Sequence, residues 1–283
     1  MFENLSNGWK LGSATRKLIF NDKELLLYPV TGGILALLFA LALFLPLLFT
    51  LPTSSISIIA AAIIFGFIST FISVYFLVAL LIAFRQYSTT KKKISMADAL
   101  SEASKYWVQI LEWAVFYTII ITILRAIESR IQGIGRLLVG AIGSMALSLA
   151  IMFVVPSIID NKTGPIKSIE NSIKVITKNF GSTFGGIIYS DLYAMLLIIP
   201  GMLLFVLGIT ALTVSTIFGA VIMVLGIVIA VFGMMLNYVT SNTFIFILYN
   251  YIETGKLPKG FTKDMVDNAI RKKTKSKIFS GAL

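Results

Sequence analysis

The chain has 283 residues, of which 57% are hydrophobic and only 13% are charged, and it contains no cysteine and no histidine. Soluble domains carry about a quarter charged residues, so the composition excludes an ordinary soluble domain and predicts a surface that faces lipid. The missing residue types exclude disulfides, thiolate or imidazole metal sites, cysteine nucleophiles and histidine acid–base catalysis.

Six apolar segments are long enough to cross a bilayer, which takes about 20 residues. They are residues 29–50, 58–84, 108–125, 136–159, 184–207 and 213–249. We therefore predict an all-α protein, a polytopic transmembrane helix bundle of about six spans in three hairpins, with a membrane domain at residues 29–249. The last segment is too long for one straight crossing at about 1.5 Å per residue, so a tilted, kinked or projecting helix and a re-entrant or seventh segment stay open.

An amphipathic helix is predicted ahead of each hairpin. In residues 165–180, isoleucines recur at three- and four-residue spacing, which places them on one helical face, and Gly181 is a plausible end. Residues 95–107 show a second apolar stripe, and residues 1–28 show a weaker one. A basic helix with an apolar stripe lies along the membrane interface, so the pattern predicts three repeated modules. The alternative is that any short basic loop is locally helical.

The lysines and arginines predict the orientation in the membrane. All but three of the 24 fall before the first span, in the second or fourth connection, or in the tail at residues 250–283; the exceptions are Arg125, Arg130 and Arg136. Positively charged connections stay in the cytoplasm. We therefore predict a multi-pass protein of the cell (plasma) membrane with a cytoplasmic N-terminal segment at residues 1–28 and a basic cytoplasmic tail.

The formal net charge of +11 predicts a bilayer with anionic headgroups as the partner. No recognisable nucleic-acid module accompanies the basic residues, so we expect no nucleic-acid partner. The candidate headgroup contacts are Lys91, Lys92, Lys93, Lys167, Lys174, Lys178, Arg271, Lys272, Lys273 and Lys275.

Ionisable residues within spans are candidates for function, because they are costly in lipid. Glu112 lies near the start of the third span and Asp191 near the start of the fifth, which also contains Pro200. A proton or cation relay at Asp191 and a Pro200 kink that lines a transport site are the functional interpretations. The structural alternatives are a hydrogen bond that Asp191 accepts from a neighbouring tyrosine or Ser190, an ion pair of Glu112 with Lys105, and an ordinary kink.

Two further spacings predict contacts between side chains or helices. Gly219, Gly226 and Gly233 recur every seven residues and form a stripe that lets another helix approach closely. Packing within the bundle is one interpretation, and a homo-oligomer or membrane-protein partner is the other. Arg125 and Glu128, three residues apart, are predicted to pair.

Residues 8–29, 153–181 and 248–261 resemble a family of uncharacterised prokaryotic membrane proteins from archaea and bacteria. The clearest segment is FVVPSIIDNKTGPIKSIENSIKVITKNFG, a span exit followed by a helix that begins at Gly-Pro. The resemblance implies six spans. It implies no activity, cofactor or catalytic residue, because the function of that family is unknown.

The sequence contains no Walker-type loop and no HExxH, GxSxG or EF-hand motif. We therefore predict no enzymatic activity and no cofactor. The leading hypothesis is a non-enzymatic membrane component that binds lipid or a partner. The alternative is a small-molecule transporter or permease that uses Asp191 and the Pro200 kink.

Overall fold

The computed structural model describes residues 2–50, 55–255 and 257, without the side chains of residues 2–8, 11, 47–50, 55–56 and 176–186. This part of the chain is helical and contains no strand, which confirms the all-α prediction. A short 3-10 turn, Lys23–Leu26, joins the first two helices. The helices are α1 (Phe2–Asn21), α2 (Leu27–Thr50), α3 (Ser55–Thr90), α4 (Met96–Ser104), α5 (Trp107–Arg130), α6 (Ile134–Ile151), α7 (Val154–Asn161), α8 (Pro165–Ala211) and α9 (Thr216–Thr254).

Within the described residues, six helical stretches are long and apolar enough to cross a membrane, as the sequence predicts. They are Lys23–Pro46, Ser57–Thr90, Trp107–Arg130, Ile134–Asn161, Ile187–Ala211 and Thr216–Thr254. Their outward faces carry large apolar side chains, such as Leu137 at 73% exposure and Leu196 at 69%. Apolar surface on this scale is unfavourable in water, so these faces are suited to contact with lipid.

The two longest helices each run without a break. Since α8 continues through Gly181 into the fifth span, residues 165–180 are not the separate helix that the sequence predicts. A glycine typically ends a helix by adopting a positive φ, whereas Gly181 keeps helical backbone. α9 is one helix of 39 residues, about 58 Å long at about 1.5 Å per residue, so it contains no separate re-entrant or seventh segment.

The helix predicted at residues 95–107 is present as α4, but it is shorter and separate from α5. Ser95 forms its N-cap, because the Ser95 Oγ accepts the Asp98 backbone N–H at 3.1 Å. Ala99 and Ala103 are buried on the face of α4 that packs on α3.

The fourth predicted span, residues 136–159, is divided between α6 and α7. The Phe153 backbone N–H donates to the Ser172 Oγ of α8 at 3.1 Å, so it leaves the helical hydrogen-bond pattern. Three residues later, Pro156 has no N–H to continue that pattern. Together these features explain why the helix is interrupted, and α7 continues as a short segment whose first six residues are buried.

The helices pack most closely at one end of the bundle, which we call the basic end. It holds the C-terminal turns of α3 and α9, all of α7 and the first turn of α8. Two ion pairs join chain segments there, Arg85 with Asp160 at 3.0 Å and Lys93 with Asp22 at 2.9 Å. The opposite end, the far end, holds the α5–α6 and α8–α9 turns. The fully buried side chains of the core include Leu80, Phe84, Phe153, Phe244 and Tyr249.

Candidate functional site: an intramembrane cavity

A cavity of about 580 Å³ lies among α3, α5, α6, α7, α8 and α9. Most of its wall is apolar, and it includes Trp113, Pro156 and Ile187. None of the described residues that line it is charged. Its polar residues are Ser69, Thr70, Ser73, Tyr117, Ser148, Tyr238, Ser241 and Asn242.

Helical spacing explains why these polar residues meet in one place. On α3, Thr70, Ser73 and Leu77 follow one another at three- and four-residue intervals, so they share a face. Tyr238 and Ser241 are spaced in the same way on α9. The break between α6 and α7 contributes to the wall, which Met152, Val154 and Val155 form on that side, while the cavity stays partly open to the outside of the bundle.

Several polar groups of the wall are already hydrogen-bonded to the protein. The Thr70 Oγ1 donates to the Gly66 carbonyl at 2.8 Å, and the Asn242 amide donates to the Tyr238 carbonyl at 2.8 Å. The Ser69 Oγ is buried and has no hydrogen-bond partner among the described residues. The cavity therefore offers a few uncharged hydrogen-bonding groups in apolar surroundings.

Asp191 lies behind this wall and is linked to it. The Asn237 Nδ2 donates to the Asp191 Oδ1 at 3.0 Å, and the Ser241 Oγ donates to the Asn237 Oδ1 at 3.1 Å. Ser241 lines the cavity, whereas Asp191 and Asn237 do not. The structure thus joins the Asp191 carboxylate to Asn237 of α9, a partner that the sequence analysis did not identify.

The tyrosines on either side of Asp191 contact α1. The Arg16 guanidinium lies 3.9 Å from the ring centroid of Tyr193, which is a cation–π contact. Trp9 meets Tyr189 edge to face, with 4.6 Å between the ring centroids. These contacts hold α1 against α8.

Glu112 and Pro200 lie outside the cavity. Glu112 is exposed on α5 beside Gly164, while Lys105, its expected partner, pairs with Glu102 at 2.7 Å. The Pro200 side chain is exposed, and α8 remains helical around it. The three intramembrane residues proposed from the sequence therefore do not form one lining, and only Asp191 connects to the cavity.

The model of a family of unknown function (DUF6159) matches residues 57–259. The chain belongs to the DUF6159 family. The DUF6159 match contains residues 153–181 and most of residues 248–261, which carry the resemblance seen in the sequence, whereas residues 8–29 lie before it. A comparison with curated proteins finds no match, and neither does one with solved structures.

All residues that line the cavity fall within the DUF6159 match. Arg16 of α1, which contacts Tyr193 beside Asp191, lies before the match. The cavity is therefore contained in the part of the chain that defines the family.

The glycine stripe of this DUF6159 protein lies between α8 and α9, the most extensively packed helix pair. A Cβ on Gly226 would lie 2.5 Å from the Phe205 backbone nitrogen, and one on Gly219 would lie equally close to the Leu212 nitrogen. Gly233 approaches α8 less closely, since a Cβ on it would lie 2.9 Å from the Leu197 Cβ and 3.2 Å from the Ile198 nitrogen. The stripe therefore serves packing within the bundle.

The glycines on the α8 side of this contact were missed in the sequence. A Cβ on Gly201 would lie 2.6 Å from the Ala230 nitrogen, and one on Gly208 the same distance from the Met223 nitrogen. The seven-residue spacing of Gly201 and Gly208 in the sequence could have identified them as packing residues.

The candidate headgroup lysines have different surroundings in the structure. Lys92 and Lys167 are exposed, and the Lys91 ammonium lies 5.2 Å from the Tyr87 ring centroid. Lys93 pairs with Asp22 and with Glu24, and Lys174 pairs with Glu170 at 2.6 Å. The side chain of Lys178 and all of Arg271, Lys272, Lys273 and Lys275 lie outside the described residues.

These ion pairs affect two ionisable groups outside the spans. Hydrogen bonding to Asp22 raises the pKa of the Lys93 ammonium. The hydrogen bond from Lys174 lowers the pKa of the Glu170 carboxyl. The two ion pairs therefore favour the charged forms of Lys93 and Glu170.

Proposed function

We propose that this DUF6159 protein is a non-enzymatic membrane component that binds an uncharged lipid in the intramembrane cavity. The observation that carries the proposal is a largely apolar cavity of about 580 Å³ with eight uncharged polar side chains in its wall. Apolar walls suit acyl chains, while hydroxyl and amide groups suit an uncharged polar head. A charged head would be left without a counter-charge in a medium of low polarity, which is strongly unfavourable.

The basic end supports a second contact with lipid, at the membrane surface. Positive-inside asymmetry favours a cytoplasmic basic end, with both termini on that side of the cell membrane. Lys92 and Lys167 are exposed there, and each basic residue near an anionic leaflet contributes about 1 kcal/mol. We propose these lysines as contacts for anionic headgroups, while Lys93 joins the turn after α3 to Asp22 and Lys174 pairs with Glu170 on the surface of α8.

The cavity proposal is tested by filling the cavity. Ser148 lines it from α6, so Ser148→Phe adds a ring to its wall, whereas Met145 lies about one turn away and outside the lining. Trp113 lines the cavity and reports occupancy once Trp9 and Trp107 are replaced by phenylalanine. Purified protein is titrated with a brominated diacylglycerol, which quenches a tryptophan that it contacts.

We expect saturable quenching in the parent protein and in Met145→Phe, and at least a tenfold weaker response in Ser148→Phe. A brominated phosphatidylglycerol with the same chains should quench Trp113 much less, because its charge has no counter-charge in the cavity. Equal quenching by both lipids, or an unchanged response in Ser148→Phe, would refute the cavity as a site for uncharged lipid.

The chain of hydrogen bonds from Asp191 to Ser241 favours transport as a second candidate function. It connects an intramembrane carboxylate to the cavity wall through Asn237, and such groups mark substrate or ion pathways in transporters. In proteoliposomes, transport predicts that the protein accelerates the transfer of a fluorescent diacylglycerol between leaflets and that Asp191→Asn slows it. Transfer at the rate of protein-free vesicles would exclude this candidate and leave binding intact.

A further inference from the structure

The hydrogen bonds behind the cavity wall all donate toward Asp191, which determines their direction. A carboxylate oxygen accepts hydrogen bonds, so the Asn237 amide must turn its nitrogen toward Asp191, as it does at 3.0 Å. The carbonyl oxygen of the same amide then faces Ser241. It accepts the Ser241 hydroxyl hydrogen at 3.1 Å.

This direction determines what Ser241 can offer to a ligand. A serine hydroxyl has one hydrogen to donate and two lone pairs that accept. Because the Ser241 hydrogen is engaged by Asn237, only the lone pairs remain for a molecule in the cavity. Ser241 therefore presents an acceptor to the ligand.

Two other groups of the wall also offer acceptors. The Thr70 hydroxyl hydrogen is engaged by the Gly66 carbonyl, so its remaining capacity is also to accept. The Asn242 amide donates one N–H to the Tyr238 carbonyl and retains its second N–H and its Oδ1. Acceptors thus reach the cavity from both α3 and α9.

We infer that the cavity selects an uncharged lipid whose head carries a free hydroxyl that donates a hydrogen bond, and that Asp191 sets this selectivity as a positioning residue. The inference rests on the proposed function and narrows its ligand class. Lipids of the diacylglycerol type meet the requirement. Fully esterified glycerides and lipid quinones bear acceptors only, so they leave the Ser241 acceptor without a partner.

The experiment compares two probes that differ in one hydrogen-bond donor. Brominated dioleoylglycerol and the methyl ether of its free hydroxyl are titrated into protein in which Trp113 is the sole tryptophan. The variants are Ser241→Ala, which removes the acceptor, and Asp191→Asn, which lets the Asn237 amide reverse and frees the Ser241 hydrogen to donate. Glu112→Gln is the matched control, since it removes an intramembrane carboxylate that does not touch the cavity.

The parent protein and Glu112→Gln should bind the alcohol about three- to tenfold more tightly than the ether, the range for one neutral hydrogen bond. Ser241→Ala should lose this preference by binding the alcohol more weakly. Asp191→Asn should lose it by binding the ether more tightly, an effect that simple destabilisation of the fold does not produce.

A preference that survives in both variants would overturn the inference, because it would then arise from the size of the methyl group alone. Equal binding of both probes by the parent protein would overturn it as well, while leaving the proposed lipid site intact. Binding of neither probe would refute the proposed function itself.

Discussion

Single residues at the basic end connect segments that are far apart in the sequence. Lys93 follows α3 and pairs with Asp22 at 2.9 Å and with Glu24 at 3.3 Å, both at the junction of α1 and α2. The Asp22 side chain is only 6% exposed, and a buried carboxylate without a partner is strongly destabilising. Lys93 therefore contributes to stability chiefly by neutralising Asp22.

Replacing Lys93 by methionine should lower the unfolding temperature of the purified protein at pH 7. The folded-state pKa of Lys93 is raised above its ordinary value of 10.5, so its stabilisation is fully present below about pH 10.5 and is lost as the pH rises through the folded pKa. The difference between the variant and the parent protein should therefore shrink in strongly alkaline buffer.

Lys92→Met is the matched control for this effect, because Lys92 is exposed beside Lys93 and forms no ion pair with the described residues. It should leave the unfolding temperature nearly unchanged at both pH values. Equal losses in the two variants would show that Lys93 acts through general charge and not through Asp22.

At the residue scale, spacing in the sequence identifies some partners and misses others, since Lys105 pairs with Glu102 and not with Glu112. Arg125 and Glu128 pair at 2.7 Å, as their three-residue spacing predicts. The sequence identifies Asp191 as a candidate site because a carboxylate is costly in lipid, but its partner Asn237 is neutral and 46 residues away. No local spacing rule identifies such a partner.

At the element scale, α8 and α9 form a hairpin whose backbones approach closely. The approach depends on four glycines, Gly201, Gly208, Gly219 and Gly226, where any side chain would collide with the neighbouring backbone. Small residues allow such contacts in membranes, where packing replaces the hydrophobic effect as the driving force between helices.

Gly226→Ala should destabilise the protein by about 1–3 kcal/mol, the usual effect of overpacking, because its Cβ would lie 2.5 Å from the Phe205 nitrogen and 2.6 Å from the Gly201 oxygen. Gly66→Ala is the control, since no atom lies within 4 Å of its added Cβ. Alanine in an open helical position is neutral or stabilising. Thermal unfolding in detergent measures both, and a Gly226→Ala variant as stable as Gly66→Ala would contradict close α8–α9 packing.

Apolar length and helix periodicity in the sequence predict where the helices lie, but not where a helix breaks or continues. The six spans follow from apolar length, whereas the continuous α8 and the α6–α7 break depend on tertiary contacts. At the break, the Phe153 N–H donates to Ser172 of another helix. A single-segment pattern contains no information about such a partner.

At the scale of the whole molecule, a closely packed basic end supports helices whose outward faces are apolar. The sequence alone predicts the membrane character, and the six long apolar helices of the described residues agree with it. It also predicts a family of unknown function, and the DUF6159 match agrees with that prediction. The cavity does not follow from the sequence, because it depends on which faces of α3, α5, α6 and α9 meet. Its only local trace is a set of serines, threonines and tyrosines at helical spacing inside apolar spans.

The proposed headgroup contacts and the orientation of the spans both depend on a cytoplasmic basic end. Single cysteines test this placement directly. The chain has no cysteine of its own, and Ser101 on α4 and Gln132 in the α5–α6 turn are both exposed. In intact cells, a membrane-impermeant maleimide should label Gln132→Cys at once and Ser101→Cys only after permeabilisation. Labelling of both positions in intact cells, or of Ser101→Cys alone, would contradict the account.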